Sequence, residues 1–169
     1  IYRSSNSGPK AWRGSGLTTG IASATRPWTM AVARFVSGGG IQFFCGLGVD
    51  GVAGLQSFYY TSTGSVYRAA FLGATDFASS VTANTNVHSF KLWKDGTNAN
   101  FKVDGTNTTF ADTTALGGDV NAISIGCLPS SLTLGANTEL AFYIVCSAKP
   151  TAPEEAALDA WAAAYWGAP

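Results

Sequence analysis

The stretch Asn86-Val-His-Ser-Phe-Lys-Leu-Trp-Lys-Asp-Gly-Thr-Asn-Ala-Asn-Phe-Lys-Val-Asp-Gly-Thr-Asn-Thr-Thr-Phe-Ala-Asp112 decides the fold. Two alternating runs, 87–93 and 98–103, flank Asp95-Gly96, and a second pair, Asp104-Gly105, follows at once. Asp-Gly between alternating segments is a strong hairpin signal, because glycine accepts the positive φ of a tight turn. An antiparallel meander of three strands is therefore expected, its last strand over 108–113.

The same period continues on both sides. Trp28, Met30, Val32, Arg34 and Val36 take one side of a strand over 28–36, and Thr29, Ala31, Ala33 and Phe35 take the other. Residues 41–48 are more uniformly apolar, which predicts a strand covered on both faces. Turn residues at Ser37-Gly38-Gly39-Gly40, Asp50-Gly51 and Ser62-Thr63-Gly64 delimit further strands at 55–61 and 65–72. Short strands follow over 77–81, 121–128 and 139–147, and in the last of these Leu140, Phe142, Ile144 and Cys146 share a face. Residues 1–25 are rich in Ser, Gly and Thr and read as an N-terminal extended arm, with one strand near 17–22; residues 26–169 form the domain.

The ending changes period. Thr151 is placed to cap a helix, Pro153 fits its first turn, Glu154 and Glu155 suit the positive end of its dipole, and Gly167 stops it. Leu158, Trp161, Ala162 and Tyr165 recur at helical spacing, which makes Trp161, Tyr165 and Trp166 the expected anchor of the helix. One short helix after a long series of strands predicts an all-β fold, an antiparallel two-sheet sandwich with one C-terminal α-helix packed on it.

Length and charge narrow the function. The 169 residues suit one domain with a sizeable core. Charged residues make up 12% and cancel to zero, so the basic field needed for nucleic acid or an anionic membrane surface is lacking. No apolar run reaches the roughly 20 residues of a membrane span. Neither nucleic acid nor membrane insertion is expected among the partners.

Catalytic signatures are weak. Glycoside hydrolysis needs two carboxylates roughly 5–10 Å apart, and no strand here carries acids at i and i+2 or i+4. Asp50, Asp95 and Asp104 read as turn formers that bond their own backbone. His88, the single histidine, alternates with Phe90 and Leu92 and is expected to be buried with a hydrogen-bond partner. No Gly-x-Ser-x-Gly elbow accompanies it, and the Gly38–Gly40 turn lacks the Lys-Ser/Thr of a phosphate loop. Cys45, Cys127 and Cys146 sit in apolar runs without zinc spacing and are expected as buried thiols, with a Cys127–Cys146 disulfide as the alternative. No enzyme activity and no cofactor are expected.

The order of elements resembles the concanavalin A-like lectin/glucanase superfamily, particularly its laminin-G-like branch. The likeness is carried by Arg26-Pro27-Trp28-Thr29-Met30-Ala31-Val32. It continues in His88-Ser89-Phe90-Lys91-Leu92-Trp93-Lys94-Asp95-Gly96 with Asn100-Phe101-Lys102-Val103-Asp104-Gly105. It ends in Ile123-Ser124-Ile125-Gly126, Glu139-Leu140-Ala141-Phe142-Tyr143-Ile144-Val145 and the Pro-Glu-Glu helix. The resemblance implies a jelly-roll of two sheets that binds carbohydrate or protein, or serves as a module in adhesins and phage virions. It also raises calcium at a loop edge, to which Asp50, Asp76 and Asp119 would each contribute one oxygen donor, though no acidic cluster is present.

Two functions follow. The first is a non-catalytic structural or adhesive module of a larger assembly, most plausibly a phage virion put together in the host cytoplasm. Its partners would be protein subunits of that assembly in a homo-oligomer. The second is an extracellular carbohydrate-binding lectin. Sugar binding uses exposed aromatic faces. Trp93 has the opposite parity to Phe90 and Leu92, and Tyr59, Tyr60 and Tyr67 cover both parities of one hairpin, so these four are the candidate carbohydrate-binding residues; the alternative is that they cover sheet faces.

Overall fold

The computed structural model describes residues 2–3, 12–21, 27–36, 40–49, 55–61, 65–71, 76–112, 119–127 and 137–169, with the backbone alone for 2–3, 55–61, 71 and 76. Among these the chain forms β1 (Tyr2–Arg3), β2 (Trp12–Gly14), β3 (Trp28–Phe35), β4 (Ile41–Gly48), β5 (Leu55–Thr61), β6 (Val66–Phe71) and β7 (Asp76–Thr82). There follow β8 (His88–Asp95), β9 (Asn98–Val103), β10 (Thr106–Ala111), β11 (Ala122–Ile125), β12 (Thr138–Cys146) and α1 (Ala152–Trp166). Two six-stranded sheets result, one ordered β1-β12-β3-β8-β9-β10 and the other β2-β11-β4-β5-β6-β7. The fold is the all-β, two-sheet antiparallel jelly-roll sandwich with one C-terminal helix that the periodicity and the resemblance predict.

The meander forms at its two Asp-Gly pairs. In the β9–β10 turn Asp104 and Gly105 both hold positive φ, +46° and +82°, the geometry that suits the twist of a two-residue hairpin. Asp104 stays there because it is tied on three sides. Its N–H donates to Ser89 O at 3.0 Å, its Oδ1 accepts the Ser89 N–H at 2.9 Å, and its Oδ2 meets His88 Nδ1. The other ring nitrogen of His88 lies 2.9 Å from Asn84 Oδ1, so the histidine is buried and partnered, as its parity requires. Asp104→Ala removes two side-chain bonds and places alanine at positive φ; it is expected to cost about 2 kcal/mol, read as a lowered urea midpoint at unchanged slope.

Three apolar clusters divide the interior. Between the sheets, Ala31, Phe90, Leu92 and Phe101 meet Phe44, Tyr67 and Phe77, with Phe90 at ring-centroid distances of 5.2 Å from Phe44 and 5.0 Å from Tyr67. On the other side of the first sheet, Trp28, Met30, Val32 and Trp93 pack under the helix with Leu158, Ala162, Trp166 and Ala168. Ile21, Leu47 and Val120 close one end. The two faces of β3 fall as the alternation predicts, and β4 is covered on both faces apart from Ile41 at its start.

The sequence misplaces one residue of β12. The alternation groups Leu140 with Phe142, Ile144 and Cys146, but it faces the inter-sheet core while those three face the helix. The cause is a β-bulge: Leu140 pairs with Ala33 and Phe142 with Val32, so Ala141 is an extra residue. A bulge inverts every side chain beyond it.

Two further expectations are corrected. Within segment 1–25, read as an extended arm, β1 pairs with β12 and β2 with β11, each at a sheet edge. Its described strands lie at Tyr2–Arg3 and Trp12–Gly14 rather than near 17–22, where residues 17–21 form none. Cys45, Cys127 and Cys146 are all free thiols. Cys146 faces the helix across the first sheet, whereas Cys127 follows β11 of the second, so no Cys127–Cys146 disulfide forms.

Candidate functional site

Of the four aromatic candidates, two can be placed by side chain. Trp93 points away from the inter-sheet core, as its parity demands, but it is only 7% exposed. The chain leaving β12 crosses it and sets Lys149 Nζ 4.7 Å from its ring centroid, so the open stacking face expected at Trp93 is covered by a cation. Tyr67 is fully buried between the sheets, where its hydroxyl donates to Asn84 O at 2.8 Å and accepts the Asn84 N–H at 3.1 Å; it offers no face to a ligand. Tyr59 and Tyr60 lie on β5 opposite Arg68 and Tyr67, and their side chains lie outside the described residues.

An open aromatic surface exists elsewhere, on the helix. The expected stripe of Leu158, Trp161, Ala162 and Tyr165 is rotated about the helix axis. The residues turned to the sheet are Glu155, Leu158, Asp159, Ala162 and Trp166. Three charged contacts set this rotation: Lys91 Nζ lies 2.9 Å from Glu155 and 2.6 Å from Asp159, and Lys102 Nζ lies 3.0 Å from Glu155. Trp161 and Tyr165 are thereby pushed outward, 39% and 72% exposed, so Tyr165 is not the anchor that the spacing suggests.

These rings form a supported cluster. Phe142 of β12 lies 4.7 Å from Trp161 and 5.0 Å from Trp166, and Trp161 meets Trp166 edge-on at 4.6 Å. Tyr165 sits 5.9 Å from both tryptophans. Beside Trp166 opens an 80 Å³ cleft, also lined by Ala33, Arg34, Val87, Glu139 and Ala141. Arg34 and Glu139 are register partners on the helix side of the sheet, and Arg34 Nε donates to Glu139 Oε2 at 2.7 Å. The arrangement offers the outward sides of Trp161 and Tyr165, a base of Phe142 and Trp166 beneath them, and a polar pair in the cleft at Trp166. The missed signal was the four-residue spacing of Glu155 and Asp159, which places both acids on one helix face, opposite the outward parity of Lys91 on β8 and Lys102 on β9.

The remaining chemistry is quiet. A groove of 620 Å³ runs along the start of the helix past Cys146, Lys149, Glu154 and Leu158. Burial pushes the Cys146 thiol up, and the nearby Glu154 charge pushes it further, so it is not activated as a nucleophile. Burial likewise raises Cys45 and Cys127. The carboxylates of Asp104, Asp112, Glu139, Glu155 and Asp159 each face a basic side chain. Among the described residues no three His, Cys, Asp or Glu side chains gather as a metal site, and no helix is long and apolar enough to cross a membrane. Of the calcium candidates, Asp119 is exposed, while Asp50 and the Asp76 side chain lie outside the described residues.

No protein-family profile and no curated protein sequence matches the chain. Solved structures do. The Ruminococcus gnavus IT-sialidase CBM40 superposes with a TM-score of 0.61 at 14% identity, over 86% of this chain and 91% of that one. The same module bound to α2,6 sialyllactose gives 0.57 at 13% identity, over 79% and 82%. Trypanosoma rangeli sialidase in complex with sialic acid gives 0.59 at 14% identity, over 79% of this chain but 22% of that one. The chain thus spans about a fifth of the sialidase and nearly all of the CBM40 module. At this identity the likeness is one of fold, a lectin-like β-sandwich; it lends nothing to the laminin-G branch or to a phage origin.

Proposed function

We propose that this chain is a non-catalytic carbohydrate-binding module that stacks sugar rings on Trp161 and Tyr165. The observation that carries the reading is the pair of exposed aromatics held against Trp166 and Phe142 beside the Arg34–Glu139 pair. A sugar site needs an apolar ring face for stacking and a few fixed polar groups for the hydroxyls, and both are present. The sandwich shared with CBM40 modules supports the same reading. On a glycan array the wild-type chain is expected to bind and the Trp161→Ala/Tyr165→Ala variant to lose binding by about tenfold or more. Tyr165 is largely in solvent, whereas Trp161 also packs on Phe142 and Trp166, so the variant is compared at a temperature below its own cooperative melt, and Tyr165→Ala alone, which keeps the wild-type melting temperature, should already weaken binding. Equal binding by the two proteins would refute the site.

A second reading rests on a different property of the same helix. Its outer face carries Ala156, Ala157, Ala160, Trp161, Ala163, Ala164 and Tyr165, all exposed and none charged; of its acids, Glu154 is exposed at the amino end, while Glu155 and Asp159 meet lysines of the sheet. The water-facing side of a surface helix normally carries charged and polar residues. This supports a structural subunit of an assembly, in which a second copy covers the helix; a place in a phage virion, assembled where thiols stay reduced, would suit the three free cysteines. Sedimentation as a dimer or larger that Tyr165→Lys converts to monomer, without glycan binding, would favour it.

A further inference from the structure

We infer that this chain pairs with a second copy of itself edge to edge through β10, antiparallel about a two-fold axis at Thr109. The inference stands apart from both functional readings above, since it uses neither the aromatic platform nor the outer face of the helix.

The outermost strands of the two sheets, β1, β10, β2 and β7, differ in how they are guarded. A sheet edge presents unpaired N–H and C=O groups, and proteins blunt it with a short strand, a charge, a proline or a bulge. Among the described residues, β1 is two residues long and carries Arg3, and β2 is three residues long and carries Arg13. β7 begins at Asp76, and its register against β6 slips between Val66 and Arg68. β10 has none of these devices. Its sequence Thr106-Asn-Thr-Thr-Phe-Ala111 contains no charge, proline or glycine, and it runs in unbroken register against β9.

The hydrogen bonds around β9 fix which groups of β10 face out. Asp112 N–H donates to Thr97 O at 2.7 Å, and on the far side of β9 Asp104 N–H donates to Ser89 O at 3.0 Å. In an antiparallel ladder bonded and unbonded pairs alternate. Thr106, Thr108 and Phe110 therefore bond β9, while the N–H and C=O groups of Asn107, Thr109 and Ala111 point away from it. These three residues are exposed. The two polar side chains are turned back toward β9: Asn107 Nδ2 donates to Asn100 Oδ1 at 3.2 Å and to Thr109 Oγ1 at 3.1 Å, and Thr109 Oγ1 donates to Asn100 Oδ1 at 2.9 Å. The edge is thus held ready for a further strand.

Charge argues for a second copy as that strand. Near a two-fold axis a residue meets its own image, so any charge there would be repelled by itself. Pairing about Thr109 sets Thr109 against the same residue of the other copy and Asn107 against Ala111, each pair exchanging both N–H···O bonds. No like charges meet in that register, and a Thr–Thr cross-strand pair is favourable. The chain has no net charge, so copies are not kept apart at longer range. Six residues of edge pairing bury less than the roughly 1,600 Å² of a standard interface, which makes the dimer dependent on concentration.

Sedimentation velocity and amide hydrogen exchange of the full chain, from about 10 μM to about 1 mM, test it. The expected result is a monomer that shifts to dimer as concentration rises. Over the same range the amides of Asn107, Thr109 and Ala111 should gain about tenfold protection, while those of Thr106, Thr108 and Phe110 are protected throughout. Thr109→Lys and Thr109→Glu should each stay monomeric, and an equimolar mixture of the two should restore the dimer, because at the axis one position meets itself. A wild-type chain that stays monomeric would leave β10 to a strand of another protein and overturn the inference. A mixture of the two variants that does not pair would also overturn it. A dimer kept in Thr109→Lys but lost in Tyr165→Lys would overturn it in favour of the helix face.

Discussion

Insertion of one alanine between Phe142 and Tyr143 is expected to leave a chain without a cooperative unfolding transition. β12 already carries one extra position against β3, Ala141. The bulge there lets Leu140 enter the inter-sheet core and Phe142, Ile144 and Cys146 face the helix. A second extra residue, placed where the pairing is regular, turns Tyr143, Ile144, Val145 and Cys146 to the opposite face. Ile144 would be driven into an interior already filled by Phe44, Phe90 and Leu92, while Tyr143 and Val145 would be left under the helix. Each large apolar side chain that loses its burial forfeits about 1.5–3 kcal/mol, and overpacking adds about 1–3 kcal/mol. Several such changes together reach the roughly 5–15 kcal/mol that holds a domain folded.

The control is deletion of Ala141, which removes the extra position and leaves Leu140 opposite Ala33 and Phe142 opposite Val32, so every remaining side chain keeps its face and the melt is expected to stay cooperative. Near-ultraviolet circular dichroism and a thermal melt distinguish the two. A cooperative melt of the insertion within a few degrees of wild type would show that the register of β12 against β3 does not set its faces. In the insertion the platform would vanish with the fold, since Phe142 is the ring on which Trp161 and Trp166 rest.

That bulge also marks what could be read from the chain beforehand. Features written in adjacent residues were legible: the two Asp-Gly hairpins, the two faces of β3, the double coverage of β4, and the stop at Gly167. Features set by residues distant in the chain were not. Leu140, Phe142, Ile144 and Cys146 alternate without a flaw, so nothing local announces that one position is doubled. Tyr67 stands in a hairpin with aromatics on both parities, and pattern alone cannot say which face is inside. Trp93 has the outward parity that the alternation of β8 gives it, yet it is covered by Lys149 from a connection whose path no periodicity encodes. The helix was recognised within one residue of its ends, but its rotation depends on lysines on two other strands, and with the rotation went the identity of the exposed aromatics.

Glu155→Ala tests that rotation, and it is expected to cost about 3 kcal/mol, the penalty of opening a buried ion pair from one side. Lys91 has 2% of its side chain exposed, and after the substitution it would keep only Asp159, which is 41% exposed and well screened. Lys91→Met should cost less, because Glu155 retains Lys102 at 3.0 Å and a methionine fits among Trp28, Met30 and Leu158.

The network also predicts an acid-side loss. Burial alone would raise the Glu155 carboxyl, but the hydrogen bonds and charges of Lys91 and Lys102 outweigh it and hold the group below the ordinary carboxylate range. A folded-state value below the unfolded one means that the contribution is complete above the unfolded glutamate value of about 4.3 and disappears as pH falls through the lowered folded value. Glu154, lowered by its hydrogen bonds from Thr151, titrates in the same direction and persists in the variant. Denaturant midpoints measured from neutral pH downward should therefore fall for both proteins below that value, with the smaller fall in Glu155→Ala. Parallel curves would show that Glu155 is not the group responsible. Because the same contacts turn Trp161 and Tyr165 outward, the variant should also lose glycan binding at a pH where it remains folded, a coupling that an unrelated surface acid such as Asp95 would not show.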